Sequence, residues 1–218
     1  IIGATGSGKT TLAGLIPRFY DATQGTVLVD GVDVRDYTFD ALYDRLGYVT
    51  QKAVLFSGTV QDNIFFGQSE AADTDETLQQ ALQLSQAAEF VDRYPEKAAH
   101  PIAQLGRNVS GGQKQRLSIA LARRPEILIF DDSFSALDYK TDATLREGLA
   151  KQLPGTTKII VAQRISTIRH ADQILVLDRG EIAGLGTHDA LMASCPVYRE
   201  IAMSQLSEEE LKKGGASK

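Results

Sequence analysis

Short apolar runs alternate with longer amphipathic stretches along this chain. β-branched and aliphatic side chains dominate residues 26–29, 127–130, 158–162 and 174–177, and the segments between these runs have helical patterns. Strands that alternate with helices are typical of a mainly parallel sheet covered by helices. The pattern therefore predicts an α/β fold.

Turn residues predict antiparallel edges beside this sheet. Asp30-Gly31 separates Val29 from Val32, and Asp178-Arg179-Gly180 follows the last apolar run. Such pairs tolerate the positive φ angles of a tight hairpin, so each indicates a hairpin between the flanking apolar residues.

Two segments depart from the alternation. Residues 59–99 are polar and helix-prone, above all residues 73–94, and they carry no strand signal, which predicts an inserted helical lobe. Residues 207–215 start with acids, continue with lysines and end in glycines. We expect that tail to be a frayed helix or disordered.

Composition narrows the possible classes of protein. The 218 residues carry a net charge of -5 without a Lys/Arg run of five, which argues against a nucleic-acid partner. Cys195 is the single cysteine, and three scattered histidines give no zinc spacing, so a reduced, cytosolic environment is expected. No apolar stretch approaches the ~18 residues of a membrane span.

The strongest chemical signal is the phosphate loop at residues 3–10. It reads Gly-Ala-Thr-Gly-Ser-Gly-Lys-Thr and matches G-x-x-x-x-G-K-[ST] at every fixed position. Glycines let backbone N–H groups point at phosphate oxygens, Lys9 reaches the β- and γ-phosphates, and Thr10 can ligate Mg²⁺. The motif predicts a purine triphosphate site that includes Gly3, Thr5, Gly6, Ser7, Gly8, Lys9, Thr10 and Thr11.

A second magnesium ligand is expected at Asp131, which ends the apolar run 127–130. Open α/β sheets bind their ligands at the carboxyl ends of strands. An apolar run that ends in Asp is common at plain strand ends, so the phosphate loop upstream is what favours the magnesium role.

Residues 108–116, Asn-Val-Ser-Gly-Gly-Gln-Lys-Gln-Arg, resemble the signature of ATP-binding cassette (ABC) proteins. Ser110, Gly111 and Gly112 expose backbone donors at the start of a helix, which is an anion site. The resemblance implies that these residues and Gln113 face the γ-phosphate of ATP held by a partner cassette. Two chains would then enclose two ATP molecules in a sandwich dimer.

The resemblance extends over nearly the whole chain. Residues 48–51 are similar to the Q-loop, in which Gln51 touches Mg²⁺ and senses the membrane domain, and residues 133–138 resemble the D-loop. Residues 56–64 are similar to the segment that follows the Q-loop in exporters, although a polar turn entering a helix would look alike. The metal ligands that the resemblance implies are Thr10, Gln51 and Asp131.

The family's fold is a P-loop NTPase with a RecA-like core. The resemblance places this core at about residues 1–57 and 119–206, the helical subdomain at 58–118 and a flexible tail at 207–218, with a truncated antiparallel β subdomain. The chain opens on Ile1-Ile2 without Met, directly before the phosphate loop. We therefore expect that upstream strands, an adenine-stacking aromatic residue and a transmembrane domain precede it, and that it works at the cytoplasmic face of the membrane.

Two positions depart from the family pattern. Asp132 stands where the family normally has the glutamate that polarises the attacking water, and Gln163 stands where it has a histidine. A displacement of ~1 Å in a catalytic group can cost on the order of a hundredfold in rate. Glutamine can hydrogen-bond the γ-phosphate but cannot carry a proton's charge.

Both departures concern the site built around this chain's own phosphate loop, whereas the signature is intact. The asymmetry favours a heterodimer in which this chain's signature serves the competent site of a different cassette. A homodimer that tolerates Asp132 and Gln163 is the alternative. The resemblance gives catalytic roles to Gln51, Asp132 and Gln163.

The spacing between the signature and the magnesium aspartate is also unusual. Asp131 lies 21 positions after Ser110, about two fewer than in the family. Loss of two residues rotates a helix by ~200°, which would turn Ile119 and Leu121 away from the core. We expect two residues to be missing near Ala120-Leu121.

Three functions are consistent with the sequence. The first is an ATPase that drives an exporter, and the second is a regulatory module that binds ATP and hydrolyses almost none. The third is a soluble cassette ATPase of DNA repair or translation, but only about 100 residues separate Lys9 from Ser110, too few for the long coiled coil of the repair proteins. The transported substrate is not readable.

Overall fold

The computed structural model describes residues 1–66, 74–120 and 125–205. Contacts divide the chain into two compact units, one formed by Ile1–Tyr43 with the chain from Ile159 onward, the other by Asp44–Lys158. The expectations for the tail at 207–218 and for Leu121 lie outside the described residues. Within these residues, no helix is long and apolar enough to cross a membrane.

The elements follow one another in the alternating order that the sequence predicts. In chain order they are β1 (Ile2–Gly3), α1 (Lys9–Leu15), β2 (Leu28–Val29), β3 (Val32–Asp33), α2 (Phe39–Arg45), β4 (Leu46–Val49), β5 (Gly58–Thr59), α3 (Val60–Ile64), α4 (Asp75–Leu84), α5 (Ala88–Val91), β6 (Pro101–Ile102), α6 (Gly111–Ile119), β7 (Ile127–Asp131), α7 (Tyr139–Gln152), β8 (Thr157–Val161), α8 (Ile165–Ile168), β9 (Ile174–Asp178), β10 (Glu181–Gly186), α9 (His188–Ser194) and α10 (Pro196–Gln205). Short 3-10 turns lie at Lys97–Ala99 and Gln104–Gly106.

The sheet of the first unit has the order β1-β9-β10. β1 runs parallel to β9, and β10 returns antiparallel to it. Both predicted hairpins are present, because Asp30 and Gly31 have φ of 49° and 80°, and Arg179 and Gly180 have φ of 50° and 85°. These paired positive angles match the twist of the flanking strands.

The core of the first unit lies between this sheet and the last helices. Tyr198 and Ala202 of α10 are fully buried there, together with strand residues such as Val176. Burial raises the pKa of Tyr198 to about 12, so its neutral hydroxyl can hydrogen-bond His188 Nδ1 at 2.8 Å. The cluster consists of Ile2, Ala162, Ile165, Ile168, Ile174, Val176, Leu191, Cys195, Tyr198 and Ala202.

The second unit is built on a parallel pair. β4 pairs with β7 so that Tyr48 stands opposite Ile129 and Val49 opposite Phe130. Ile129 and Phe130 are fully buried, as a strand covered on both faces requires. Strand order in this sheet is β4-β7-β8, and the boundary between the units falls within β8. The sequence pattern did not reveal β4, because Gly47 and Tyr48 interrupt its apolar run.

Helices occupy most of the predicted helical lobe. Thr59 and Thr74 cap α3 and α4 with reciprocal side-chain bonds to the residue three positions on, which satisfies N–H groups that have no partner within the helix. The two-residue pairing of β5 with β6 was not predicted. Residues 67–73 of this region lie outside the described ranges.

The shorter spacing after the signature does not turn Ile119 away from the core. α6 ends at Ile119, which is fully buried, and the chain leaves the helix at Ala120 with ψ of 82°. The two residues expected to be missing near Ala120-Leu121 stay a prediction, because residues 121–124 lie outside the described ranges.

Leu82→Ala should lower the free energy of unfolding by about 2–5 kcal/mol. Leu82 is fully buried in the cluster that also holds Leu78 and Phe90, so the truncation leaves a cavity. Gln79→Ala, on the exposed side of the same helix, is the control and should change stability by less than about 0.5 kcal/mol. Urea denaturation measures both, and equal losses would contradict this packing.

Gly3→Ala should also destabilise the protein, by about 1–3 kcal/mol. A Cβ at Gly3 would collide with the carbonyl oxygen of Leu177 across the β1–β9 pair and would lie 2.7 Å from Ser7 Oγ. Gly155→Ala is the matched control, because a Cβ there meets nothing within 4 Å. If Gly3→Ala unfolds at the same urea concentration as Gly155→Ala, the close approach is not real.

Candidate functional site

The phosphate loop leaves β1 in the first unit and wraps by means of two left-handed glycines. Gly6 and Gly8 have φ of 80° and 97°, and a Cβ on either would meet nothing within 4 Å. Ser7 N donates to Ala4 O at 3.2 Å, which closes the turn, and α1 begins at Lys9. Only glycine adopts these angles without strain, so the predicted glycines have a conformational reason.

Lys9 is buried against the loop that it follows. Its Nζ donates to Gly3 O at 2.9 Å and to Ala4 O at 2.8 Å. The far side of the loop is held as well, because Ser7 O accepts a bond from Gly180 N at 3.2 Å. The ammonium group is therefore fixed at the loop and carries its positive charge there.

The loop fits a triphosphate in one further respect. Among the buried side-chain oxygens and nitrogens of the described residues, Ser7 Oγ is the atom without a hydrogen-bond partner. A buried hydroxyl in that position costs about 1–3 kcal/mol, and a phosphate oxygen would satisfy it. Thr5 is exposed on the loop, and Thr10 and Thr11 are exposed in the first turn of α1.

Gln163 lies at the same edge of the first unit as the phosphate loop. Ile1 N donates to Ile160 O at 2.7 Å, and Ala162 N donates to Ile1 O at 3.0 Å, which is the bonding pattern of a parallel pair. The chain that continues from Ile1 into the loop and the chain that continues into Gln163 thus emerge side by side. The Gln163 residue is exposed.

Asp131 ends β7 in the second unit and is held by Tyr48. Tyr48 OH donates to Asp131 Oδ2 at 3.0 Å. Strand parity explains the contact: Tyr48 pairs with Ile129, and Asp131 is two residues further along, on the same face. Asp131 is 5% exposed, so its orientation is fixed before any ligand binds.

Asp132 adopts a left-handed backbone conformation, which is uncommon for residues other than glycine. Its φ is 50°, its side chain is almost buried, and Gln51 Nε2 donates to its Oδ2 at 3.0 Å. Ser133 Oγ, also buried, donates to Val49 O at 2.8 Å. The predicted catalytic residues Gln51 and Asp132 are therefore in direct contact, and the ends of β4 and β7 are joined by side chains.

The signature forms the N-terminus of α6. Ser110 Oγ accepts from Gln113 N at 3.2 Å, and Gln113 Oε1 accepts from Ser110 N at 2.8 Å, which is a capping box. Ser110 and Gly111 are exposed, and Val109 just before them is buried in the core. Gly112 is the next residue of the helix. Ser110 and Gly111 of the signature are thus exposed, and the buried Val109 anchors them to the core.

Sequence reasoning did not identify the residues that support these groups. Tyr48 and Ser133 orient the ends of β4 and β7, and Gln115, which is 2% exposed, donates from α6 to Thr50 O at 3.3 Å. The D-loop aspartate, Asp138, caps α7 through Thr141 N at 2.9 Å, and this bond lowers the pKa of Asp138. Strand parity could have revealed Tyr48, and an aspartate before a helix could have revealed the Asp138 cap, whereas the contacts of Ser133 and Gln115 depend on the tertiary fold.

A family model, sequence relatives and a solved structure all identify the same family. The family model described as ABC transporter matches residues 1–135. An uncharacterized ABC transporter ATP-binding protein of Mycobacterium bovis is 49% identical over 208 residues, which cover 94% of this chain and 35% of the relative. An ATP-dependent lipid A-core flippase of Syntrophus aciditrophicus is 39% identical, over 96% of this chain and 35% of that protein.

A solved structure of a bacterial Atm1-family ABC exporter with ATP bound has the same fold. It superposes with a TM-score of 0.89 at 36% identity and covers 95% of this chain and 36% of that chain. This chain thus spans about a third of the length of the proteins that it matches. The similarity covers the phosphate loop, the Q-loop segment and the signature together, and the chain belongs to the ABC transporter family as an ATP-binding domain of the exporter type.

Proposed function

We propose that this chain binds ATP and contributes to its hydrolysis as the motor domain of an ABC exporter. The observation that carries the proposal is the phosphate loop, which has two left-handed glycines and holds the Lys9 ammonium group at its main chain. Backbone N–H groups of Gly6 and Gly8 bind phosphate oxygens, and Lys9 neutralises their charge.

Mg²⁺ is the metal that we assign to the site. Its ligands from this chain are Thr10, Gln51 and Asp131, all oxygen donors of the kind that Mg²⁺ prefers. When bound, the ion would supply positive charge that stabilises the phosphates. Tyr48 orients the Asp131 carboxylate by donating to Oδ2.

The site of this chain binds ATP better than it cleaves it. Asp132 stands at the family's general-base position, and its Oδ2 already accepts the bond from Gln51. Its side chain is one methylene shorter than that of glutamate, and Gln163 can bind the γ-phosphate but cannot become positively charged. Both features favour retention of ATP.

The second contribution of this chain is its signature. At the start of α6, Gly111 and Gly112 offer backbone N–H donors to the γ-phosphate of ATP on another cassette, and the capping box of Ser110 and Gln113 holds this turn in place. A different subunit with an intact glutamate and histidine is the partner that this asymmetry favours. The complex of the two cassettes then has one site that hydrolyses ATP and one that mainly holds it.

A transmembrane domain is the other partner that we propose, with this chain at the cytoplasmic face of the membrane. The Syntrophus aciditrophicus relative is a lipid A-core flippase and the structural relative is an exporter, and both are about three times as long as the match. A regulatory module with negligible hydrolysis is the second candidate, and Asp132 is the residue that favours it.

The double variant Asp132→Glu/Gln163→His tests whether Asp132 and Gln163 slow hydrolysis at this chain's own ATP site. In the complex with its partner cassette, and with the partner's own site disabled, the variant should hydrolyse ATP about 10- to 100-fold faster than the unchanged chain. The longer carboxylate of glutamate reaches the attacking water. The imidazole of histidine can carry the positive charge that glutamine cannot. Phosphate release at saturating MgATP is the measurement.

The single variants serve as controls. Asp132→Glu alone and Gln163→His alone should each recover less than the pair, because the two residues act on one transition state. If the double variant is no faster than the unchanged chain, Asp132 and Gln163 are not the residues that slow hydrolysis at this site.

Ser110→Arg tests donation of the signature to the partner. The bulky cation blocks the N-terminus of α6, so hydrolysis by the complex should fall at least about 100-fold, whereas ATP binding by this chain should stay within about twofold. Ser194→Arg, at an exposed serine whose Oγ donates to Ala190 O of its own helix, should change neither quantity. Loss of this chain's own ATP binding in Ser110→Arg would contradict donation to a partner.

A further inference from the structure

The last described residue of α10 holds the turn between β8 and α8. Gln205 Nε2 donates to Gln163 O at 2.8 Å, and Gln205 Oε1 accepts from Ile165 N at 2.9 Å. One side-chain amide thus bonds the main chain on both sides of Arg164. Both bonds lie within the first unit of the fold.

The turn needs such a partner. α8 begins at Ile165, and its N-cap residue Arg164 has φ of -106° and ψ of 129° with no side-chain cap. Arginine carries donors only, so its side chain cannot accept a bond from the first N–H of the helix. Ile165 is fully buried, and its N–H would cost about 1–3 kcal/mol without the acceptor that Gln205 provides.

α10 delivers this amide from a fixed position. Tyr198, Ala202 and Gln205 are four and three residues apart and lie on one face of the helix. Tyr198 and Ala202 are fully buried in the cluster that also contains Ile165. The helix therefore cannot shift relative to α8 without disturbing that cluster, and Gln205 keeps its distance from the turn.

We propose that Gln205 is a positioning residue, which sets the main chain of Gln163 and through it the contact of the Gln163 side chain with the γ-phosphate. The inference rests on the proposed function, in which Gln163 binds that phosphate. It gives α10 a role at the nucleotide site.

The test is the preference of the protein for MgATP over MgADP, measured as the ratio of the two dissociation constants by isothermal titration calorimetry. Gln205→Ala should lower this preference about fivefold to tenfold, as Gln163→Ala does, with MgADP affinity unchanged within about twofold. Gln205→Glu keeps the acceptor for Ile165 N but replaces the donor to Gln163 O by a repelling carboxylate. It should lower the preference at least as much.

Gln152→Ala is the matched control, because it removes an exposed glutamine from the last position of a different helix, α7. It should leave the preference unchanged. Hydrogen exchange at the Ile165 amide separates the two bonds of Gln205: exchange should accelerate at least about tenfold in Gln205→Ala and stay near its original rate in Gln205→Glu.

The outcomes also separate this inference from the function on which it rests. If the unchanged protein does not bind ATP, or if Gln163→Ala keeps the full preference, the proposed function of the site is wrong and the inference falls with it. If Gln163→Ala loses the preference while both Gln205 variants keep it, the positioning role alone is wrong. An equal loss of MgADP affinity in Gln205→Ala would also overturn it, since that indicates general disruption of the fold.

Discussion

Parallel strand pairing is the constraint that decides where the chemistry of each unit lies. Parallel strands end at a common edge, so the residues that follow them are brought together whatever their distance along the sequence. In the first unit this brings Gln163 beside the start of the phosphate loop through Ile1 and Ala162. In the second unit it brings Gln51 to Asp132, although 81 positions separate them.

Hydrogen bonds then fix the groups that the strands bring together. Tyr48 holds Asp131, Gln51 holds Asp132, and the Ser110–Gln113 capping box holds the signature. Each unit has one feature that is costly in the fold alone, namely the hydroxyl of Ser7 without a partner in the first and the left-handed backbone of Asp132 in the second. Strain of this kind tends to be retained at functional sites, where ligand contacts compensate for it.

The sequence predicted the elements whose signals are local. Asp30-Gly31 and the apolar run that ends in Asp131 each carry their own signal, and the glycines of the phosphate loop are required by their positive φ angles. β4 and the contacts of Gln205 were not predictable, because Gly47 and Tyr48 break the apolar pattern and Gln205 acts across 40 positions of sequence.

The central claim is that this chain's own site holds ATP while its signature serves another cassette. The most direct measurement is the identity of the nucleotide on this chain during steady turnover, determined by rapid quenching of the working complex with radiolabelled ATP. The account predicts that this chain retains ATP, with ADP confined to the partner's site. Equal amounts of ADP on both cassettes would contradict it.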